Sequence, residues 1–287
     1  MAIHHTAEAE QRSTAVSGAL LDVQGLPDER GIDLKRVGVS RVDIPMQILQ
    51  ADGHYQTVTA KATMSVGLPK EHKGTHMSRF IIQLSEWSRG KVISMHLPEF
   101  MAEAQERLNA TTAQLDLTFQ YFVEKAAPVT RQSAPMGFVC RLQGRIDQDV
   151  FTMGLGVTVP IATLCPCSKA ISKYGAHNQR AEVTANLVVA SEETNQPMIW
   201  FEDVISLLEE TASCPVYPLL KREDEKYVTE RQYENAKFVE DVIRDATHSL
   251  RKLPSVAGFS LEVEALESIH GHNAWTYHEE GRQLPRF

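Results

Sequence analysis

The 287-residue chain carries 29 Lys and Arg against 37 Asp and Glu, which gives a formal net charge of −8. Hydrophobic residues make up 43% and charged residues 23%, proportions that are typical of a folded globular protein. The acidic balance argues against nucleic acid as the main partner, because binding a long polyanion requires a basic face and the chain contains no run of Lys or Arg.

Residues 1–35 form a polar lead that lacks the apolar core of a secretory signal and carries acidic residues that a transit peptide would avoid. The uncharged stretch 150–168 is nearly long enough to span a membrane, but its prolines, glycines and threonines favour a buried strand that runs into a loop. Four scattered cysteines without a secretory segment predict a cytoplasmic protein with no membrane partner.

The first half of the chain predicts four strands and two helices in the order ββααββ. Asp52-Gly53 joins the first two strands and is a strong hairpin signal, and Pro98 suits the first turn of the second helix. The predicted strands cover 36–49, 55–67, 113–126 and 137–147, and the predicted helices cover 77–88 and 98–109.

The second half predicts the same order of elements. Val242, Ala246 and Leu250 belong to a continuous apolar stripe along its last helix, and Asn235 is the predicted N-cap of that helix. The predicted strands cover 150–162, 180–190, 257–267 and 274–278, and the predicted helices cover 200–212 and 236–253.

These patterns predict an α+β protein made of two tandem ββααββ units, each with an antiparallel sheet and paired helices on one face. The units are expected at 36–148 and 149–287, after the polar lead of residues 1–35. Each sheet would end in open edges, which assembly with other copies of the chain could cover.

Two of the four cysteines lie in the stretch "LCPCSKAISKYGAHNQR", residues 164–180. Cys165 and Cys167 are poorly placed to form a disulfide with each other, and their spacing differs from the C-x-x-C of redox motifs and zinc ribbons. A catalytic metal takes three protein ligands and leaves one position open, so one thiolate, His177 and a distant side chain would suffice. From spacing alone, Cys165 fits a small buried residue equally well, and Cys167 fits packing better.

Cys140 and Cys214 lie outside the polar clusters that carry the other candidate residues, which predicts that both are packing residues. Two further polar clusters stand out. "ESIHGHNA" (267–274) follows the predicted strand 257–267 and, taken alone, is typical of a strand end in solvent. "LLKREDEKYVTERQYENAKFVED" (219–241) has charges of alternating sign and is typical of a solvated surface, with a helix beginning near its end.

Taken together, these clusters resemble the type IB GTP cyclohydrolases, the second form of GTP cyclohydrolase I. The motifs that carry the resemblance are "PCSKAISKYGAHNQR" (166–180), "LLKREDEKYVTE" (219–230), "ENAKFVEDVIRD" (234–245) and "LEVEALESIHGHNA" (261–274).

The resemblance implies a tunnelling fold with two tandem ββααββ units, a homotetramer with active sites between subunits, and a divalent metal, either zinc or manganese. It further implies conversion of GTP and water to 7,8-dihydroneopterin triphosphate and formate, the first step of tetrahydrofolate and pterin synthesis.

The resemblance also assigns roles to individual side chains. Cys165, His177 and His270 are the implied catalytic residues, and Glu240 is the residue implied to anchor guanine. Glu223 and Glu234 are alternatives to Glu225 and Glu240, since those two assignments depend on the alignment of a variable loop. The implied metal site consists of Cys165, His177, Glu225, Glu267 and His270.

The triphosphate is expected to meet Lys or Arg side chains from the same clusters. We select Arg180, Lys221 and Arg222 for this role from a pool that also contains Lys169, Lys173 and Arg231.

Each group that the resemblance implies suits the hydrolysis of GTP. A metal lowers the pKa of its bound water towards neutrality, and a histidine can give and take a proton near pH 7. A carboxylate such as that of Glu240 accepts both the N1–H and the exocyclic amine of guanine, a donor pair that adenine lacks. Either His177 or His270 is a candidate for the acid and base.

Three other functions stay open at the level of sequence. The nitrile reductase of queuosine synthesis shares the fold, but the chain lacks its E-S-K-S-like run. Archaeal GTP cyclohydrolases that release a cyclic phosphate share the core motifs and would be separated by a product assay. A binding or assembly protein with a structural metal would keep its oligomer and show no activity that a chelator abolishes.

Overall fold

The computed structural model describes residues 22–90, 93–190 and 198–284, so most of the predicted polar lead lies outside the described residues. Over the described ranges, eight strands form one antiparallel sheet in the order β1-β2-β3-β4-β5-β6-β8-β9, and the short β7 pairs with β5 beside this path. The strands are β1 (Leu34–Leu49), β2 (Tyr55–Leu68), β3 (Thr112–Ala126), β4 (Ser133–Asp147), β5 (Val150–Leu164), β6 (Asn178–Val189), β7 (Cys214–Pro215), β8 (Val256–Ala265) and β9 (Ala274–Gly281).

The four predicted helices occur in the predicted order, and two further helices were not predicted. The helices are α1 (Met77–Gly90), α2 (Leu97–Leu108), α3 (Pro166–Ile171), α4 (Phe201–Glu210), α5 (Arg222–Glu234) and α6 (Val239–Leu250). The two that were not predicted are α3 and α5. In the described part of the chain, no helix combines the length and the apolar character that crossing a bilayer requires.

The Asp52-Gly53 hairpin is confirmed. Leu49 of β1 pairs with Tyr55 of β2, and the turn between them closes through a hydrogen bond of 2.8 Å from Gln50 N to His54 O. Gly53 adopts a φ of +85°, which a residue without Cβ reaches at little cost. The turn therefore sets the register in which β1 presents its alternating apolar side chains to the core.

The hydrophobic core lies between the sheet and the helices. In β3, Leu115, Leu117 and Phe119 are buried and lie two residues apart, which places them on the same face of the strand. Phe80 of α1 and Phe100 of α2 are fully buried in the same cluster, and each such side chain contributes about 2 kcal/mol of burial. The α+β class with helices against an antiparallel sheet is confirmed.

The sheet continues without interruption across the predicted boundary between the two units. β4 and β5 form a long hairpin whose register runs from Val139↔Thr158 to Asp147↔Val150. One hydrophobic cluster contains both Phe80 from the first half and Leu261 from the second. The division into 36–148 and 149–287 therefore remains a prediction about repeat units within a shared sheet and core.

The predicted N-cap of the last helix is wrong. Asn235 is the C-cap of α5, and its Nδ2 donates to Ala212 O at 2.9 Å and to Ser213 O at 3.2 Å. The last helix begins at Val239, with Phe238 as the N-cap residue, whose N–H donates to Asp241 Oδ2 at 3.0 Å. A long-range contact of the asparagine, which no local pattern reveals, decides this boundary.

Helix α5 forms in the charge-rich segment that the sequence assigned to a solvated surface. Its Asp224 is fully buried and accepts hydrogen bonds from Val129 N at 2.8 Å, Thr130 N at 2.9 Å and Thr130 Oγ1 at 2.7 Å. It also accepts one from Lys221 N at 2.9 Å, so the same carboxylate satisfies the helix N-terminus and the β3–β4 turn. This tertiary anchor, rather than an apolar stripe, fixes the helix.

Candidate functional site

A cavity of ≈ 330 Å³ opens where β5 ends, β6 begins and α6 starts. Among the residues that line it are five of the predicted site residues: Cys165, His177, Glu240, Glu267 and His270. The antiparallel pairing of β5, β6 and β8 brings the end of β5, the start of β6 and the end of β8 together, and the start of α6 adds Glu240.

The loop between Cys165 and His177 is closed by its own hydrogen bonds. Cys165 N donates to His177 O at 3.1 Å, which extends the pairing of β5 with β6 by one step. The hydroxyl of Ser168 donates to Cys165 O at 3.1 Å and accepts from His177 N at 3.2 Å. The thiol and the imidazole therefore project from two ends of one rigid loop.

The Cys165 side chain caps the short helix α3. Ser168 N donates to Cys165 Sγ at 3.4 Å. Pro166 occupies the first turn, where the N–H that proline lacks would have no partner within the helix. Cys165 is half-buried and lines the cavity, whereas a packing cysteine would be fully buried. Cys167 is exposed and also lines the cavity, in contrast to the packing role that its spacing favoured.

Cys140 and Cys214 are fully buried, as predicted. Burial raises the pKa of both thiols, which keeps them protonated and unreactive.

The ring of His177 is oriented by a polar chain. Its Nδ1 lies 3.0 Å from Gln179 Oε1 and 3.4 Å from Ser268 Oγ. Gln179 Nε2 in turn donates to Glu267 Oε1 at 3.3 Å. Gln179 lies within the quoted motif, two residues after His177, but neither its spacing nor the family resemblance predicted a role for it.

The segment that follows β8 supplies two histidines. His270 and His272 stack with their ring centroids 5.2 Å apart and an angle of 22° between the ring planes, and both line the cavity. Both side chains are exposed in the isolated chain. Only His270 was predicted. The signal for His272 was its place in the same short motif, one glycine beyond.

Glu240 is the second residue of α6, where the helix dipole favours a carboxylate. Its side chain lines the cavity and is exposed among the described residues. The nearby Lys237 also lines the cavity, but its Nζ donates to Thr211 O and to Asp245 Oδ2, each at 2.8 Å.

Four predicted residues lie outside this cavity. Glu225, Lys221 and Arg222 lie at the start of α5, and Arg180 lies on β6, where its carbonyl accepts a hydrogen bond from Leu266 N at 2.8 Å. All four side chains are exposed. Their assignment to metal and triphosphate stays a prediction, and within one chain they do not join Cys165.

The donor types at the cavity fit a divalent metal ion. Thiolate, imidazole and carboxylate are the ligands that zinc takes in proteins, and Gln179 occupies Nδ1 of His177 while leaving its Nε2 available. Across the described ranges, no three His, Cys, Asp or Glu side chains yet lie close enough together to hold an ion. Cys165, His177, Glu267 and His270 would therefore have to draw together around it.

Comparisons with known proteins point to one family. Residues 20–276 match the model of a family described as type I GTP cyclohydrolase FolE2. The chain is 43% identical over 265 residues to the GTP cyclohydrolase FolE2 of Geobacter sp. (strain M21), covering 92% of this chain and 96% of that one. It is also 43% identical over 256 residues to the GTP cyclohydrolase FolE2 of Fervidobacterium nodosum, covering 89% and 95%.

Solved structures similar to the chain share the fold alone. The uricase of Arthrobacter globiformis superimposes with a TM-score of 0.52 at 8% identity, covering 88% of this chain and 95% of that one. A uricase from Bacillus fastidious gives a TM-score of 0.50 at 7% identity, covering 86% and 93%. The fold is therefore of the tunnelling type, on which uricases are also built.

Proposed function

The chain belongs to the type I GTP cyclohydrolase FolE2 family, and from this premise we propose that it hydrolyses GTP in the cavity lined by Cys165 and His177. The reaction takes GTP and water to 7,8-dihydroneopterin triphosphate and formate, the first step of folate and pterin synthesis. The observation that supports this site most strongly is that Cys165, His177, Glu240, Glu267 and His270 all line one cavity.

The proposed cofactor is a divalent ion, zinc or manganese, held by Cys165, His177, Glu267 and His270. Glu225 remains a further candidate ligand. Such an ion would supply a water whose pKa lies near neutrality, the nucleophile that hydrolysis at the purine C8 requires. The chain's own residues then have three tasks: to orient the base, to hold the triphosphate, and to move protons as the imidazole ring of the purine opens.

Proton transfer is assigned to a histidine. Expulsion of formate requires a proton on the purine nitrogen, and a group that gives and takes protons near pH 7 suits this step. His270 is exposed and stacks on His272. We assign proton transfer to the ring nitrogen of His270 that would not bind the ion. The Nδ1 of His177 faces Gln179, which leaves this ring better suited to a ligand role than to proton transfer.

Glu240 is assigned to guanine. Its carboxylate can accept the N1–H and the exocyclic amine together, and a base without this pair would leave the carboxylate unsatisfied. Its position at the second residue of α6 fixes the direction of the side chain at the rim of the cavity.

The triphosphate-binding residues and the oligomeric state are proposed together. Arg180, Lys221 and Arg222 are exposed and do not line the Cys165 cavity of their own chain. We infer a homotetramer in which active sites lie between subunits, so that these cations and Glu225 can approach a site in which another copy takes part. The free state of all four cysteines supports a cytoplasmic location.

Incubation of metal-loaded protein with GTP tests the proposal. We expect formate and, after oxidation, the fluorescence of neopterin, with both lost when a chelator removes the metal and restored by zinc or manganese. A cyclic phosphate product would favour the archaeal type of GTP cyclohydrolase. The absence of formate at every metal tested would contradict the proposed function.

A further inference from the structure

We propose that Gln179 is a positioning residue that holds the ring proton of His177 on Nδ1 and so presents Nε2 to the metal. This inference rests on the proposed function of the cavity and deepens it, because it states how a metal-free site is prepared for its ion. It starts from the chain of contacts His177–Gln179–Glu267, in which one amide touches two proposed ligands.

The direction of the Gln179 amide follows from the carboxylate at its far end. An ionised carboxylate can only accept hydrogen bonds, so the amide group that lies 3.3 Å from Glu267 Oε1 must be the NH₂. The amide oxygen is then directed at His177 Nδ1 at 3.0 Å. Turning the amide around would bring two acceptor oxygens together, and the Glu267 charge opposes this.

The direction of the amide fixes the tautomer of the imidazole. A carbonyl oxygen cannot donate, so the hydrogen bond at 3.0 Å requires a proton on Nδ1. In a neutral ring this leaves Nε2 with its lone pair. The charge of Glu267 thereby acts on His177 through one intervening side chain.

The backbone makes the arrangement rigid. Gln179 lies on β6 and pairs with Thr163 of β5, and it is half-buried rather than on a free loop. His177 is held at the adjoining loop end by the hydrogen bond from Cys165 N to its carbonyl at 3.1 Å. Ser268 is the other neighbour of Nδ1, but it is exposed and lies farther away, at 3.4 Å.

Partners of this kind contribute measurably to metal affinity. Replacing the group that orients a ligating histidine typically lowers affinity by about 10- to 100-fold, because the ring must then reorient and change its tautomer on binding. The loss should depend on the acceptor at Nδ1 and not on the volume of the side chain, which separates positioning from packing.

The test compares five variants of the full-length protein with the unaltered chain. Q179L removes the acceptor, Q179E retains it, and S268A removes the more distant neighbour of Nδ1. Q114L is the matched control, since Gln114 is a half-buried glutamine of β3 that does not line this cavity and whose Oε1 accepts no hydrogen bond. Zinc affinity is measured by competition with a chromophoric chelator. The tautomer of His177 is measured by ¹⁵N NMR of the metal-free protein labelled at histidine.

We expect Q179L to lower zinc affinity by about 10- to 100-fold and to move the His177 proton to Nε2, while Q179E keeps the proton on Nδ1. Q114L should match the unaltered protein in both measurements. E267Q, assessed by NMR alone because Glu267 is itself a proposed ligand, should give a mixture of tautomers, since its amide no longer dictates the direction of Gln179.

Unchanged affinity and tautomer in Q179L would overturn the inference, and so would the same losses in S268A instead. These readouts do not need GTP. If the unaltered protein binds zinc and the variants behave as expected but no formate appears, then the proposed function fails and the positioning role of Gln179 stands. If formate appears and Q179L behaves like Q114L, then the proposed function stands and the positioning role of Gln179 fails.

Discussion

Replacement of Glu240 by alanine removes the carboxylate that we assign to guanine. The side chain lies in the first turn of α6 and lines the cavity; it is exposed and is not a member of the hydrophobic core of the described residues. The variant should therefore fold, assemble and bind metal as the unaltered protein does. Its defect should appear only where the base is recognised.

The size of that defect follows from two hydrogen bonds to a charged acceptor. Each contributes about 1.5–3 kcal/mol, and the exposure of Glu240 in the isolated chain favours the lower value. Losing both costs about 3 kcal/mol, which corresponds to roughly a 100-fold loss in kcat/KM, since about 1.4 kcal/mol is tenfold. Inosine triphosphate lacks the exocyclic amine and forfeits one bond, so the unaltered enzyme should prefer GTP by about tenfold.

The assay measures formate release from GTP and from inosine triphosphate for the unaltered protein, E240A and E234A. Glu234 is the matched control, because it is an exposed glutamate at the end of α5 that does not line the cavity. E240A should lose both activity and the preference for GTP, and E234A should retain both. A preference for GTP that survives in E240A would refute the assignment, whatever the fall in rate.

Three further outcomes are expected. C165A should lose turnover and bound metal while still folding, with an unfolding temperature near that of the metal-free unaltered protein. C167A should match the unaltered protein in turnover, bound metal and unfolding temperature, as metal analysis and calorimetry would show. Burial alone would raise the pKa of Asp224. The hydrogen bonds that this carboxylate accepts from Thr130, Lys221 and Val129 together outweigh burial and hold the pKa well below its usual range. D224N should therefore lower the urea midpoint at pH 7. The difference from the unaltered protein should shrink as pH falls from about 4 towards 2, because the unfolded chain then takes up a proton at Asp224 that the native state does not bind; a constant difference would contradict this. E209Q leaves Lys125 largely buried without its ion-pair partner and should cost about 3 kcal/mol in urea unfolding, which replacing both residues with methionine should largely restore.

The alternation of apolar and polar residues, together with the residue types at turns, was sufficient to predict most of the sheet. The Asp52-Gly53 turn and the apolar stripe of α6 involve only neighbours in sequence, so local pattern determines them. Helix α5 and the role of Asn235 depend instead on contacts that bridge distant segments, such as Asp224 with Thr130. No periodicity in a charge-rich segment encodes a buried carboxylate of this kind.

The candidate site, too, was only partly predictable from the sequence. Resemblance to a family identified Cys165 and His177, and the cavity contains them. The resemblance did not identify Gln179, whose role appears only when its two hydrogen bonds are seen together. Nor did it show that Glu225 lies outside the cavity, since that depends on the direction in which α5 leaves its anchor.

X-ray absorption spectroscopy at the zinc edge tests most directly whether the ion is held at Cys165. The zinc-loaded protein should show one sulfur neighbour at about 2.3 Å together with nitrogen or oxygen neighbours, and C165A should show no sulfur. Zinc without any sulfur neighbour in the unaltered protein, or with the same sulfur in C165A, would mean that the ion lies elsewhere and that this cavity is not the metal site.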